Sequence, residues 1–445
     1  MTSPIHRLPD ELLSKIFVYS ISPSVTPEQI QAPLNISSVC SAWRQIATST
    51  PTLWSSIMIA VIPRRKIRFT SIIETWISRS QSVGFSFTIK WNYLKEKDPS
   101  RLQAILGVLI EHCGLWRNIN ISLRHDGVQQ IFSVIPNLTP RIRGICVDTD
   151  MFEIGKFFDG PLIYLEHLSV TATSAFFPNN DHLLLDNLRN LILDMMHPSC
   201  FMEFVLRTPR LETAKVKLSF RQRDPQESYY PNNVILPHLR ALNITVDLNG
   251  RTSFEFDRLH ESLKLPALQT LIFTNQTYLY NAGDTLSWHG FENILHDVAP
   301  TLRNLGIRAH IGTLSIPLPQ ILETHPDLRY LAISGGFLDE QLIRCLTHSS
   351  SPTDPSASRL CPNLETLHLL ASRYEEDYST IRSIIDMASM DKSPSTRENP
   401  LLLVFPGYPF HTTLTPPPNG RLKLITEWKW KQERRHEMYI ESSWE

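Results

Sequence analysis

The stretch Leu165-Glu-His-Leu168-Ser-Val170 is followed 23 residues later by Leu188-Arg-Asn-Leu191-Ile-Leu193. Both segments place apolar residues at positions one, four and six and a charged residue at position two. Ten copies of this pattern can be aligned, and they begin at Trp116, Ile142, Leu165, Leu188, Leu211, Leu239, Leu268, Leu302, Leu328 and Leu364. Such self-similarity indicates a protein built from repeated supersecondary units.

Within each copy the last two apolar residues are two positions apart. A β-strand would turn both of them to one side and the residue between them to the other. Segments between the copies show helical spacing, as in Phe201, Phe204 and Val205 or in Phe291, Ile294, Leu295 and Val298. A single strand buries one face, and stacking of neighbouring strands makes the core continuous. The first positions lie 23 to 36 residues apart, and the shorter spacings fall in the leucine-rich-repeat range of about 20–29.

The pattern therefore predicts an α/β fold: a leucine-rich-repeat-like solenoid of strand–helix repeats with a parallel sheet, over residues 61–390. An atypical first unit is expected at Ile67–Trp91, with a helix through Trp76 and a strand through Phe87. Residues 391–445 are interpreted as a linker followed by a cap, with capping strands at Leu401–Phe405 and Leu422–Thr426. Protruding loops are expected at 221–233, 275–287 and 348–359.

The first sixty residues follow a different pattern. Leu8, Leu12, Leu13, Ile16 and Phe17 form one helical stripe, and Pro9 stands where a helix can begin. A second helix is expected over 34–48, and Pro51, Leu53 and Trp54 would close the module. So small a unit has little interior of its own. From the residues alone, a helical capping domain and a docking module are both open.

Three strings in this region resemble the F-box family, especially its fungal F-box-like variety. They are Leu8-Pro9-x-Glu11-Leu12-Leu13-x-x-Ile16-Phe17, Val39-Cys40-x-x-Trp43-Arg44-x-Ile46-Ala47 and Pro51-x-Leu53-Trp54. Residues 1–60 would then be an F-box, although the segment 20–33 is longer than in the compact family pattern. The resemblance implies that the module binds a Skp-family adaptor through Leu8, Pro9, Leu12, Leu13, Ile16, Phe17, Val39, Cys40, Trp43, Leu53 and Trp54, some of which must form its own core.

Composition and motifs exclude several classes of function. Charged residues make up 20% of the chain and the formal net charge is −1, which does not favour nucleic acid as a partner. No P-loop, nucleophile elbow or zinc-protease string occurs, and the six cysteines lack any C-x-x-C pair, so no enzyme, metal site or cofactor is predicted. Two basic clusters, at 64–68 and 429–435, are interpreted as a linker and an exposed terminal helix. No membrane-spanning run is present, which predicts a cytoplasmic or nuclear protein.

The resemblance therefore implies a substrate-recognition adaptor of a Skp–cullin–F-box ubiquitin ligase, which reaches the cullin through the Skp adaptor and holds an unknown protein target. Target-binding residues are predicted where strands face outward: His167, Ser169, Lys215, Lys217, Asn243, Thr245, Thr270, Arg308, Tyr330 and His368. Two alternatives remain open: a Skp-binding repeat scaffold that acts outside a ligase, and an enzyme, which would need a polar pocket that the pattern does not display.

Overall fold

The structure is a computed structural model. It describes residues 8–21, 32–60, 69–91, 99–135, 139, 141–150, 152–153, 162–172, 175–176, 185–219, 233–247, 253–275, 289–308, 318–334, 342, 346, 360–370, 381–382, 384–386, 400–405 and 422–426. The loops expected at 221–233, 275–287 and 348–359 fall, apart from Asn233 and Asn275, outside these residues, as do both basic clusters.

The chain divides into two compact units, Met1–Asp194 and Met195–Glu445. The first unit begins with helices α1 (Asp10–Ser20), α2 (Ala32–Val39) and α3 (Ser41–Thr48) and a 3₁₀ turn at Pro51–Trp54. Its later helices are α4 (Phe69–Ser80), α5 (Pro99–Glu111) and α6 (His125–Phe132). The strands of its main sheet are β1 (Ser56–Ala60), β2 (Phe85–Lys90), β3 (Trp116–Ser122), β4 (Gly144–Thr149), β5 (His167–Ala172) and β6 (Asn190–Met196). Shorter elements are the 3₁₀ turns Gln81–Val83 and Cys113–Leu115 and the paired strands Phe152–Glu153 and Ala175–Phe176.

The second unit alternates strands and helices in the same way. Its strands are β7 (Thr213–Ser219), β8 (Ala241–Asp247), β9 (Thr270–Asn275), β10 (Asn304–Arg308), β11 (Tyr330–Ser334), β12 (Thr366–Leu370), β13 (Leu401–Phe405) and β14 (Leu422–Thr426). Its helices are α7 (Pro198–Leu206), α8 (Ser253–Ser262), α9 (His289–Val298) and α10 (Leu318–Glu323). A two-stranded parallel ribbon joins Val234–Ile235 to Leu263–Lys264.

Strands within each unit are parallel and follow chain order. In the first unit Phe87, Ile119, Ile145, Leu168 and Leu191 stand in register, and none is more than 2% exposed. In the second unit Leu242, Leu271, Leu305, Leu331 and Leu367 form the equivalent row, each at most 1% exposed. Apart from Phe87, which precedes the first copy, these inner rows are fourth positions of the repeat, so the pattern that recurs along the chain becomes the apolar core of each unit.

A polar residue recurs at the second position of the repeat because its side chain lies at the edge of the sheet, while its backbone joins neighbouring repeats. Its backbone N–H donates to the carbonyl of the second position in the preceding repeat, as from Arg143 to Arg117 at 2.7 Å and from Arg329 to Arg303 at 2.8 Å. The backbone thus aligns successive strands while the side chain stays at the edge of the sheet. Arg329 and Glu365 form an exposed pair there, 3.7 Å apart. Such pairs contribute little to stability, so solubility explains this position better than ion pairing.

The predicted fold class is confirmed: N-terminal helices precede strand–helix repeats with parallel strands. All ten copies of the pattern form strands, and their first residues are at most 2% exposed. The helix and the strand expected in the atypical first repeat, Ile67–Trp91, are α4 and β2. The assignment to leucine-rich repeats, and the division into residues 1–60, 61–390 and 391–445, stay predictions.

The residues that alternate with the inner rows form an outer row in each unit. In the first unit the outer row is Thr88, Asn120, Cys146, Ser169 and Ile192, all partly or fully exposed. In the second unit it runs Lys215, Asn243, Ile272, Gly306, Ala332, His368, Val404 and Ile425. From Asn243 onward all of these residues are buried. Inner and outer residues alternate in the same way in each unit, but the surroundings of the outer row differ.

Candidate docking surface

Helix α1 begins where the sequence predicts. The carbonyl of Pro9 accepts hydrogen bonds from the backbone N–H groups of Leu12 and Leu13, at 3.0 and 3.1 Å. Asp10 and Glu11 occupy the first turn, where negative charge complements the positive end of the helix dipole. This start fixes which way the apolar stripe of the helix faces.

Helix α1 has two apolar faces rather than one. Leu13 and Phe17, four residues apart, are 4% and 3% exposed and point into the module. Leu12 and Ile16, also four residues apart, are 46% and 48% exposed on an adjacent face. Because helical neighbours three or four residues apart stand side by side, the second pair forms a contiguous apolar strip on the outside.

The second predicted helix, over 34–48, is wrong as a single element. The chain forms α2 and α3 with a break at Cys40, which is extended at φ −157° and ψ 173°. Cys40 caps α3 instead, because its Sγ accepts from the backbone N–H of Trp43 at 3.5 Å. The Arg44 side chain ties the helices together by donating from Nε to the Ser37 carbonyl at 2.9 Å.

Polar and aromatic contacts lock the buried side of the module. The hydroxyls of Ser14 and Thr50 are 3.0 Å apart and join α1 to the end of α3. The ring centroids of Phe17 and Trp43 lie 4.8 Å apart, a distance at which aromatic pairs contribute about 0.5–1.5 kcal/mol beyond burial. The inner face of α1 is therefore occupied by the module itself.

Trp54 anchors the end of the module in the first unit. It is fully buried, and its Nε1 donates to the Ala47 carbonyl at 2.8 Å. Its ring packs edge-on against Trp76 of α4, with centroids 4.8 Å apart, and the Arg79 guanidinium carbon lies 4.2 Å from the centre of the Trp54 ring. The N-terminal helices are thus continuous in packing with the first strand–helix unit.

The predicted adaptor-binding residues separate into three groups. Those exposed are Leu8, Pro9, Leu12, Ile16 and Val39; those partly exposed are Cys40 and Trp43; those buried are Leu13, Phe17, Leu53 and Trp54. The buried group forms the interior of the module, as the small size of the unit requires. Adaptor binding by the exposed group stays a prediction.

Two further exposed apolar residues of the N-terminal helices were not predicted from the sequence. Tyr19 is 86% exposed and Leu34 is 47% exposed. Tyr19 lies three residues after Ile16, so helical spacing alone extends the strip to it. Leu34 carried no such signal, because it was predicted only as the first residue of the helix expected over 34–48. We call Leu8, Leu12, Ile16 and Tyr19 the N-terminal apolar surface, and Leu34 and Val39 are further exposed apolar residues on α2.

The predicted target-binding residues are not equivalent in the structure. His167 and Arg308 are exposed; Ser169, Lys215, Lys217, Thr245 and Tyr330 are partly exposed; Asn243, Thr270 and His368 are buried. His368 is held by a hydrogen bond between its Nδ1 and the Tyr330 hydroxyl, 2.7 Å apart. Target binding by these residues stays a prediction.

Within the described ranges no group of three His, Cys, Asp or Glu residues is arranged to hold a metal ion. None of the helices described there is both long and apolar enough to cross a bilayer. Cys40, Cys113, Cys146, Cys200 and Cys361 are all free thiols.

Comparison with known proteins identifies the N-terminal module. Residues 5–60 match the F-box-like family model, so the chain carries an F-box-like domain. No curated protein matches the chain. Among solved structures, the Rad7–Elc1 complex from yeast aligns over 82% of this chain and 88% of that chain, with 11% sequence identity and a TM-score of 0.33.

Proposed function

We propose that the chain, through its F-box-like domain, docks a Skp-family adaptor and serves as the substrate-recognition subunit of a Skp–cullin–F-box ubiquitin ligase. In this proposal the strand–helix repeats hold a protein target. Ubiquitin transfer is performed by other subunits, and this chain contributes proximity by tethering the target to them.

The observation that carries the proposal is the N-terminal apolar surface. Leu12, Ile16 and Tyr19 are exposed on α1 although Leu13 and Phe17 of the same helix already supply its interior. A contiguous apolar strip on a small module is a feature of protein-binding sites. A partner helix or loop lying on this strip would remove it from water, within a specific interface of about 800 Å² per partner.

The target side of the proposal rests on the sheet of the first unit. Its outer row is open to solvent, and His167 and Ser169 lie on that face. In the second unit the buried side chains of Asn243, Thr270 and His368 support the fold in this structure, so Arg308 and the partly exposed residues are the better candidates there.

The test is co-purification of the full chain with its partners. A Leu12→Asp/Ile16→Asp variant places two charges on the apolar strip without entering the interior. We expect adaptor recovery to fall at least about tenfold, because two carboxylates would have to be desolvated in the interface. Adaptor recovery equal to that of the parent chain would refute docking through this surface.

A matched control uses two other exposed apolar residues. Leu206 and Ile235 are 50% and 59% exposed in the second unit, so Leu206→Asp/Ile235→Asp makes the same chemical change elsewhere. This control should retain the adaptor. Recovery of the adaptor without any cullin from the parent chain would favour the scaffold outside a ligase, and recovery of both supports the ligase subunit.

A further inference from the structure

We propose that Arg117, Arg141 and Arg143, here called the arginine edge, bind an acidic, Asp- and Glu-rich segment of the protein target. The inference rests on the proposed function for the existence of a target. It goes further by assigning a second surface, at the edge of the first unit's sheet, and the chemistry of the segment that this surface accepts.

Two of these arginines converge on one turn. Arg141 Nη1 donates to the Ser82 carbonyl at 3.3 Å. Arg117 Nε would lie 3.3 Å from a Cβ added to Gly84, two residues further along. Both side chains are exposed, so two guanidinium groups meet solvent above the turn Gln81–Gly84. Bringing like charges together is unfavourable unless an anion joins them.

The third arginine adds to the same charge. The Arg143 backbone N–H donates to the Arg117 carbonyl at 2.7 Å, so the two residues are neighbours on adjacent strands. Arg143 Nη1 is 3.7 Å from Glu166 Oε1, and that carboxylate is also 4.0 Å from His167 Nε2. Arg117 and Arg141 form no ion pair with any residue in the described part of the chain. Among the described residues, Glu166 is therefore the one carboxylate that pairs with any of the three arginines.

Most of the corresponding edge of the second unit is charge-balanced, and Arg240 is the exception among its described residues. Arg303 lies 3.3 Å from Asp327 and Arg329 lies 3.7 Å from Glu365. These arginines occupy the same second position of the repeat as Arg117 and Arg143. Arg240 lies between Glu212 and Gln269 in the backbone ladder, so the clustering of arginines is a local property of the first unit.

Carboxylates fit this edge by geometry and by surroundings. A guanidinium presents a planar fork that binds a carboxylate through two parallel hydrogen bonds. The edge continues into the open sheet face through Asn118, whose Nδ2 donates to Ser86 Oγ at 3.1 Å. An extended peptide can thus place acidic side chains on the arginines while its backbone lies over exposed polar groups. Nucleic acid fits less well, because the chain carries a formal net charge of −1 rather than a basic surplus.

The experiment measures binding of the full chain to a fluorescent peptide of alternating Glu and Ser by anisotropy. The Arg117→Gln/Arg141→Gln/Arg143→Gln variant should weaken binding about tenfold, since three charge-assisted contacts are lost. The matched control, Arg240→Gln/Arg303→Gln/Arg329→Gln, removes the same number of positive charges from the second repeat position of the second unit. It should change affinity less than about twofold, and parental affinity should fall as salt rises from about 50 to about 300 mM.

Three results would overturn the inference: no peptide binding by the parent chain, equal losses in both triple variants, or tighter binding of polyuridine RNA than of the peptide. Should the triple variant unfold, Arg117→Glu alone must still weaken binding, because this side chain makes no ion pair that the fold uses. Adaptor capture separates the two proposals. The arginine-edge variants should keep the adaptor, and Leu12→Asp/Ile16→Asp should lose the adaptor and keep the peptide.

Discussion

The outer rows of the two units occupy equivalent positions in the repeat. The row of the first unit is partly or fully exposed to solvent, whereas the row of the second unit is buried from Asn243 onward. Ile192 of the first unit is 41% exposed, whereas Ile272 of the second is 3% exposed. Both alternate with buried inner-row residues in parallel strands. The repeat pattern therefore determines the inner side of each sheet, and the outer side is free to differ between units. An open face can accept a partner, and a filled face adds to the core.

The strongest test of this difference places a charge at the two matched isoleucines. Ile272→Asp should cost about 5 kcal/mol, because it removes a buried side chain and leaves a carboxylate without solvent. Ile192→Asp should cost less than about 1 kcal/mol, since its carboxylate stays hydrated. Urea denaturation monitored by circular dichroism gives both values. Equal costs would show that the two faces are alike in solution.

The next test concerns the inner rows, which should behave alike. Leu168→Ala in the first unit and Leu331→Ala in the second each remove a side chain that is at most 1% exposed. Each should cost about 2–5 kcal/mol through lost burial and the cavity left behind. Hydrogen exchange followed by mass spectrometry should locate the loosened strands around each site. Exchange that rises only in strands remote from the substitution would break the equivalence of the rows.

A smaller effect is expected at the turn below the arginine edge. Gly84 has a φ of 77°, and a Cβ there would approach the Leu115 carbonyl oxygen to 2.6 Å. Gly84→Ala should therefore cost about 1–3 kcal/mol from backbone strain and the close contact. Gly107, in a helix with nothing within 4 Å of an added Cβ, is the control: Gly107→Ala should be neutral or slightly stabilising. The midpoints of urea denaturation of the two variants, each compared with the parent chain, measure both effects.

The smallest effect is a pH dependence in the second unit. Burial lowers the pKa of His260, and the nearby Asp297, Lys264 and Glu261 charges modify it less. Because the folded pKa lies below the unfolded value, the unfolded chain takes up this proton first. Stability should fall as pH drops below the unfolded pKa, about 6.5, and continue to fall down to the folded pKa.

Asp297 also makes the folded chain less stable as pH falls, but at a lower pH than His260 does. A hydrogen bond from Lys264 lowers its pKa, so its stabilising contribution is lost only as pH falls below the ordinary carboxyl range. A His260→Gln variant should therefore flatten the stability profile near pH 6 and change the acid limb less, because Lys264 is the larger cause of the lowered Asp297 pKa and His260 a smaller one. A parental profile that is flat down to pH 5 would contradict the burial of a neutral histidine.

Much of the fold was readable from the sequence because the repeat encodes it locally. Leu168 and Val170 lie two residues apart, as in a strand with one buried side, and the structure buries both together with Leu165, which precedes the strand. The break at Cys40 was not readable, because the residues on both sides keep helical spacing and only the extended backbone of Cys40 reveals it. Local pattern predicts elements, and their interruption depends on tertiary contacts.

The candidate site was only partly predictable for a related reason. The sequence marks Leu12, Leu13, Ile16 and Phe17 as apolar without saying which pair faces out. That choice is made by Trp43, which packs on Phe17 and leaves Leu12 and Ile16 outside. The outer row carried a partial signal that the sequence analysis missed. Apolar residues are more frequent in the buried row of the second unit, as at Ile272, Ala332 and Val404, although Ile192 is exposed in the first unit and His368 is buried in the second.

The backbone ladder at the second repeat position has a consequence for how such a chain can diversify. Each rung links only the start of one strand to the start of the next, and it keeps nearly the same length whether successive copies are 23 or 36 residues apart. The chain segments between these hydrogen bonds can lengthen or shorten by mutation without disturbing the stacked strands. New surface segments are therefore tolerated where the ladder remains intact, which leaves recognition free to change while the scaffold persists.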